Sequence, residues 1–461
     1  MFRKKKIDEW SLDYYLLQGY AMLIYRMFYR KICVVNRHNI PANQPVILAP
    51  NHQNALMDAM ALICNCGYQV VFLARADIFK GKFLVRFLTF INIMPIFRIR
   101  DGYESVKKND VVFEKTVQVL RNRHNPLGMF PEGNHGDRRR LRQLVKGIFR
   151  IAFMAQEDYG NNPGVKIVPV GIDYGHYQHF RTTVFVNIGK PIEISEFYPV
   201  FKENPVLAIN QLKERYAEEE SKLMINIQTE EFYDLYMLLR NMYNDDMRKK
   251  LEIPGDSLPE RFAADKVMID LLNRELETNP DNFRQMNTLA MNYQKGLKRA
   301  RLRDWVLKQE KYSIFRLVLA SMAKILLLPV FVFGLINNYP LYWFAESRTK
   351  GVKDTQFRSS FKFAIGMLGL PVWYIVLIVI LVFVPIAGWI KLLYMLLLPA
   401  AGLFSFEYLI RVKKLLSRIR YSIGVAKGNA EILSLQNLRK NILHQMNDLV
   451  LKQSPNHENP R

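Results

Sequence analysis

The sequence predicts an α/β domain, then a helical region of soluble composition, then α-helices apolar enough to enter a membrane. Three observations carry this. Over residues 31–200 short β-type runs alternate with helix-like stretches. Residues 201–312 are rich in Glu, Lys, Asn and Leu at helical spacing. From Phe363 to Ile390, and again from Leu392 to Phe406, there is no charged residue, and only Lys391 parts the two runs. About 20 apolar residues cross the hydrocarbon of a bilayer, so this region is more than a soluble core requires.

At 461 residues two or more domains are expected. With 12% aromatics the chain is not a disordered tail, and with three cysteines it is not a disulfide scaffold. Cys33, Cys64 and Cys66 are spaced too irregularly for a zinc site and read as buried small hydrophobes. The 65 Lys and Arg against 42 Asp and Glu give a net charge of +23, which calls for an anionic partner. Nucleic acid is disfavoured: many basic residues flank apolar runs, and no RNA-binding aromatic signature or zinc pattern accompanies them. The basic start Met1–Lys6 leads into Ile7-Asp8-Glu9-Trp10, which is not the apolar core of a signal peptide.

The elements come in order. Residues 1–30 place Trp10, Tyr14, Leu17, Ala21, Ile24, Tyr25 and Phe28 on one stripe, which suits an interfacial amphipathic helix or one packed on the next domain. Strands are expected at Pro45–Leu48, Gln69–Leu73, Ile91–Phe97, Leu127–Phe130, Lys166–Ile172 and Val184–Ile188. Residues 201–312 read as helices with a polar break at Glu252–Glu260, residues 313–422 as the membrane region, and residues 423–461 as an amphipathic helix with a disordered tail.

After the strand-like Val46-Ile47-Leu48 comes Ala49-Pro50-Asn51-His52, with Asp58 in the helical stretch beyond. A His at the mouth of a strand, oriented by a carboxylate, is a plausible general base. No Gly-x-Ser-x-Gly elbow is present, so direct transfer without a covalent enzyme intermediate is the simpler chemistry. Further on stand Pro95-Ile96-Phe97-Arg98, Phe130-Pro131-Glu132-Gly133-Asn134-His135, Lys146-Gly147 and Val168-Pro169-Val170. With the His52 block, this ordered set resembles the signature of the glycerolphosphate and lysophospholipid acyltransferases. The stretch from Asp173 through Ile192 looks like the branch typified by fungal glycerol-3-phosphate/dihydroxyacetone-phosphate acyltransferases, which carry membrane segments after the catalytic domain.

The resemblance implies an α/β acyltransferase domain built on a mixed sheet flanked by helices. It also implies transfer of a fatty acyl group from acyl-CoA or acyl carrier protein to a hydroxyl of a phosphorylated glycerol-type acceptor, with no cofactor beyond that co-substrate and no metal. By carry-over His52 is the base and Asp58 its partner. Arg98, Arg100 and Lys146 contact phosphate, and Glu132, Gly133, Asn134 and His135 shape the acceptor site. Guanidinium suits this role because its two-pronged donor matches a phosphate. Arg138, Arg139 and Arg140 read instead as a solvated or headgroup-facing basic run. Two departures stand out: five residues separate His52 from Asp58 where the family has four, and His135 occupies the place of the family's Arg. A catalytically silent lipid-binding member and a 1-acylglycerol-3-phosphate acyltransferase are the competing possibilities.

Counting charges sets the expected membrane arrangement. Three simple spans would put Arg348, Lys350, Lys353, Arg358 and Lys362 on the far side from the catalytic domain, against the positive-inside tendency if that domain is cytoplasmic. The arrangement expected is a re-entrant or interfacial pair over Ile314–Ile336, broken near Pro329 and Gly334, then a two-helix hairpin turning near Pro385–Gly388. All basic segments then meet anionic lipids on the cytoplasmic face.

Overall fold

The structure, a computed structural model, describes residues 11–97, 109–121, 125–136, 138–159 and 164–453. Trp10, Arg98 and Arg100 lie outside them. The chain forms two compact units: residues 1–226 with 345–370, and residues 227–344 with 371–461.

The first unit is built on a mixed sheet of β1 (Lys31–Val35), β2 (Val46–Pro50), β3 (Val71–Arg75), β4 (Ile93–Ile96), β5 (Leu127–Gly128), β6 (Lys166–Tyr174), β7 (Thr183–Ile188) and β8 (Ile192–Glu193). Its order is β1-β7-β6-β2-β5-β3-β4, with β8 on β6. The pairs β6–β7 and β6–β8 are antiparallel and the rest parallel. All six expected strands are present. β1 and β8 are additions to them, and β1, an edge strand, leaves Cys33 half-buried where a buried position is expected from the sequence.

Alternation along β2 explains the layers, because successive side chains of a strand point to opposite faces. Val46 and Leu48 enter one apolar cluster, Ile47 and Ala49 the other. The Val46 side is covered by α1 (Leu12–Phe28) and α2 (Leu56–Asn65). The Ile47 side is covered by α4 (Asn109–Arg121), α5 (Gly147–Tyr159) and α7 (Pro205–Leu223), while α3 (Lys82–Phe90) comes after β3 and α6 (Tyr198–Glu203) precedes α7. Gly171 in β6 is required by close approach: a Cβ there would lie 2.0 Å from the Leu223 carbonyl oxygen. Of the stripe expected in residues 1–30, Tyr14, Ala21, Ile24, Tyr25 and Phe28 are turned into the core, while Leu12, Tyr15, Leu16 and Leu23 are exposed on the same helix.

The second unit contains α8 (Tyr233–Lys250), α9 (Leu258–Thr278) and α10 (Pro280–Arg299), and the break between α8 and α9 falls in the expected polar stretch. Ser257 and Glu260 form a capping box that starts α9. Then come α11 (Ile314–Leu326), α12 (Leu328–Lys350), α13 (Phe357–Val382), α14 (Gly388–Ala426) and α15 (Ala430–Gln453), the last residues of α12 and the first of α13 belonging to the first unit.

α13 and α14 are long and apolar enough to cross a membrane, and α11 and α12 form a pair bent by 52°. The hairpin turn lies where expected, between Val382 and Gly388. The break in the earlier pair falls at Leu327, next to the expected Pro329 and one helix turn or more before Gly334. Pro329 sits in the first turn of α12, where a missing N–H costs nothing. Polar side chains tie the apolar helices together within this unit: Trp373 Nε1 donates to the Asn337 carbonyl at 2.7 Å, the Tyr374 hydroxyl to Asn338 Oδ1 at 3.1 Å and the Ser405 hydroxyl to the Phe331 carbonyl at 2.9 Å.

Candidate active site

The site begins where β2 ends. Asn51 prolongs the β2–β6 ladder with its side chain, Nδ2 donating to the Ile172 carbonyl at 3.1 Å and Oδ1 accepting from the Ile172 N–H at 2.7 Å. This fixes the backbone from which His52 projects. The chain then turns sharply: Ala55 has φ +46° and ψ −123°, a conformation that favours glycine, and the Met57 N–H returns to the Asn54 carbonyl at 2.9 Å. That turn absorbs the extra residue between His52 and Asp58. The two side chains meet at 2.9 Å, Nδ1 to Oδ2, despite the unusual spacing.

Asp58 is fully buried and has only donors around it. Its Oδ2 accepts from the Gln53 N–H at 2.9 Å and the Asn54 N–H at 2.7 Å, and its Oδ1 from the Tyr174 hydroxyl at 2.8 Å. A carboxylate already held as an acceptor by two backbone amides requires that His52 Nδ1 carry the proton. Nε2 is then the basic nitrogen. Phe130 stacks on the imidazole at 3.9 Å between centroids, and His52 remains 15% exposed as a side chain.

Glu132 braces the same backbone from below, Oε1 accepting the His52 N–H at 3.0 Å. Burial pushes its carboxyl up to about 8, and burial also pushes up Glu220, another carboxyl beside it. Burial thus favours the protonated carboxyl in the folded chain, whereas the unfolded chain ionises both at neutral pH. Their folded pKa values are raised, so the stability they contribute is intact below pH 4.5 and is lost as pH rises toward about 8. Glu220→Gln should therefore flatten the fall of the thermal midpoint between pH 5 and 8, as read by calorimetry. An unchanged slope would show that this carboxyl is ionised in the folded protein.

Gly133 has φ +64° and lies against Val145, while Asn134 accepts the His135 N–H with its own side chain at 3.0 Å. The next turn is tied to the base, the Gly136 N–H donating to the His52 carbonyl at 3.1 Å. His135 packs its ring 5.4 Å from that of His52, and burial, followed by the neighbouring His52, lowers its pKa to about 4. It is neutral at pH 7 and supplies no fixed charge where the family has Arg. Arg142 is the cation that the sequence did not single out: a Cβ on Gly136 would be 3.3 Å from its Nη1, and that nitrogen is buried without a hydrogen-bond partner. Lys146 is exposed at the start of α5.

Arg139 departs from the expected solvated run. It is 5% exposed, pairs with Asp173 at 2.7 Å, bonds the Tyr174 carbonyl and lies over the Tyr177 ring at 5.0 Å. It therefore clamps the end of β6, which carries Tyr174.

Residues 345–370 supply a wall of the site. The Ser359 hydroxyl donates to Asn54 Oδ1 at 2.6 Å, Phe357 meets the His135 ring edge-on at 4.5 Å, and the Tyr20 hydroxyl donates to the Met367 carbonyl at 2.6 Å. Among the described residues no cluster of His, Cys, Asp and Glu has metal-binding geometry.

Residues 31–173 match the family model described as Acyltransferase. They form a domain of the glycerolphosphate and lysophospholipid acyltransferase family. The chain is 24% identical over 298 residues to glycerol-3-phosphate O-acyltransferase 1 of Saccharomyces cerevisiae, covering 59% of this chain and 37% of the relative. The chain thus spans well under half the length of that relative. The 1-acyl-sn-glycerol-3-phosphate acyltransferase of Bacillus subtilis is 26% identical over 192 residues, 41% of this chain and 88% of the relative. Among solved structures, the 1-acyl-sn-glycerophosphate acyltransferase PlsC of Thermotoga maritima is 19% identical with a TM-score of 0.32, over 45% of this chain and 78% of that one.

Proposed function

We propose that this acyltransferase moves a fatty acyl group from a thioester of coenzyme A or acyl carrier protein to the hydroxyl of glycerol 3-phosphate or dihydroxyacetone phosphate. The observation that carries the proposal is the His52–Asp58 pair, with Nε2 free to accept a proton and Nδ1 held by a buried acceptor. The acceptor hydroxyl gives its proton to His52 Nε2 as its oxygen attacks the thioester carbonyl. The tetrahedral intermediate then expels the thiolate, which takes the proton back. Asp58 stabilises the imidazolium formed between the two steps. The geometry weakens the case for a silent member, since the spacing that argued for one does not part the pair. The match over 88% of the Bacillus relative keeps 1-acylglycerol 3-phosphate as the rival acceptor.

Incubating the purified chain in vesicles with acyl-CoA or acyl carrier protein and each of glycerol 3-phosphate, dihydroxyacetone phosphate and lysophosphatidate separates these acceptors by product mass. No His52-dependent product with any of them overturns the proposal.

Arg142 is the phosphate contact that the site favours, with Arg98, Arg100 and Lys146 as the further cations implied by the family. A charged hydrogen bond is worth about 1.5–3 kcal/mol, so Arg142→Gln should raise the acceptor's KM by about 10–100-fold and leave the donor's KM unchanged. Equal effects on both substrates would assign Arg142 to the scaffold.

We also propose that the domain lies on the cytoplasmic face of a membrane and that α11 and α12 re-enter it. The hydrogen bond from Ser359 to Asn54 supports this, because a segment bonded to the catalytic strand's turn is on the catalytic side. Ser347, exposed just before it, should as Ser347→Cys react with an impermeant thiol label from the same side as Glu157→Cys in the acyltransferase domain. Labelling from opposite sides would require α11 and α12 to span.

A further inference from the structure

β2, β5 and β3 run parallel, so their carboxyl ends share one edge of the sheet. His52 leaves that edge from β2. From β3, two strands or about 10 Å across, the chain leaves through a short turn at Ala76–Ile78 and enters α3. Gly81, with φ +80°, makes the entry.

α3 is divided along its length. Leu88 and Phe90 are buried and fix it to the domain. Its first half is turned outward as an unbroken run, Lys82-Phe83-Leu84-Val85-Arg86, with Phe83 74% exposed and Ile78 of the preceding turn 42% exposed. Lys80, Lys82 and Arg86 are exposed in the same stretch, Lys82 and Arg86 one turn apart on α3. The one carboxylate in the stretch, Asp77, is neutralised by Arg75 through a 3.1 Å hydrogen bond from Nε. This stretch therefore mixes exposed apolar side chains with exposed cations.

We infer that the start of α3 is a bilayer-docking surface that sits among the headgroups of anionic lipids and inserts Ile78, Phe83, Leu84 and Val85 toward the acyl chains. Charge complementarity selects this occupant: cations beside exposed apolar side chains match phosphates above hydrocarbon, and the chain carries helices able to cross a bilayer. Its place on the edge that bears His52 holds the base close to the lipid surface, where an acyl chain is presented. This goes beyond the transfer chemistry and stands whichever acceptor is used.

The test uses the full chain in vesicles with Cys33→Ser, so that Val85→Cys takes an environment-sensitive fluorophore. Cys64 and Cys66 compete poorly, because burial pushes both thiols up to about 12. In vesicles containing phosphatidylglycerol the label at Val85 should emit to the blue and be quenched best by lipids spin-labelled at a shallow acyl carbon, about 5–10 Å below the interface. The same label at Glu157→Cys, at the far end of α5, should not respond. Lys82→Glu with Phe83→Glu, both exposed and neutral to folding by circular dichroism, should cut the quenched fraction about tenfold. Water-like emission at Val85, quenching that survives the double substitution, or a response that appears only when the chain self-associates would each overturn the inference.

Discussion

Replacing His52 by Ala should lower turnover by about 10²–10⁴-fold with little change in either substrate's KM. The imidazole touches no recognition element of a substrate in this geometry: its Nδ1 side faces Asp58, and one ring face is covered by Phe130. In the proposed transfer it offers the lone pair on Nε2, needed only as the acceptor hydroxyl begins to lose its proton. The loss should therefore fall on kcat. Phe130 and His135 stay in place around the vacated volume, so the variant should remain folded, and a normal thermal midpoint beside the lost turnover is the expected pair of results. Turnover near that of the unmodified protein would remove His52 from the chemistry.

Asp58→Asn should cost a comparable factor by a different route. Four donors converge on this carboxylate, from His52, Gln53, Asn54 and Tyr174. An amide in its place can keep the two backbone N–H groups on its oxygen, but its NH₂ then points at a group that was itself donating. With that oxygen in the Oδ2 place His52 Nδ1 keeps its acceptor, so the NH₂ faces Tyr174, whose hydroxyl must turn away, and the negative charge that would steady an imidazolium is gone. A drop of about 10⁴ in kcat is the scale seen where a buried Asp orients a catalytic His, and the unpaired buried donor should cost a further 1–3 kcal/mol or so of stability, read as a lower denaturation midpoint. Asp58→Ala would leave all four donors unmet and confuse unfolding with chemistry. An Asn variant with full turnover would reduce Asp58 to a structural anchor.

Local patterns make much of this visible in the sequence. The strands that carry the site have continuous apolar runs with clear boundaries, and His52, Asp58 and Glu132 stand in blocks that read as chemistry. The features that are not legible there depend on partners far away in the chain. Tyr174 reaches Asp58 across 116 residues, and Ser359 reaches Asn54 across 305. Arg139 looks like the middle of a solvated basic run because nothing nearby marks it, and Asp173, which buries it, lies 34 residues on. β1 gives little signal because an edge strand shows no fully buried alternation, and its burial pattern runs from exposed to half-buried. The extra residue before Asp58 argues against a pair only while the turn is unknown; Ala55 in a glycine-like conformation takes it up.

Ser359 and Phe357 have a further meaning when the chain is considered as it is made. The first unit is contiguous to residue 226, but it lacks one wall of the candidate site until residues 345–370 have been added. At roughly 5–20 residues per second, synthesis needs roughly six to thirty seconds to supply that wall. During that interval the apolar pair α11 and α12 leaves the ribosome first. Until then Asn54 has no Ser359 to receive, and His135 has no Phe357 against it. Order of synthesis thus delays completion of the site until after the first membrane-seeking helices have emerged, so that a chain stalled before residue 345 carries the whole dyad and still an open site.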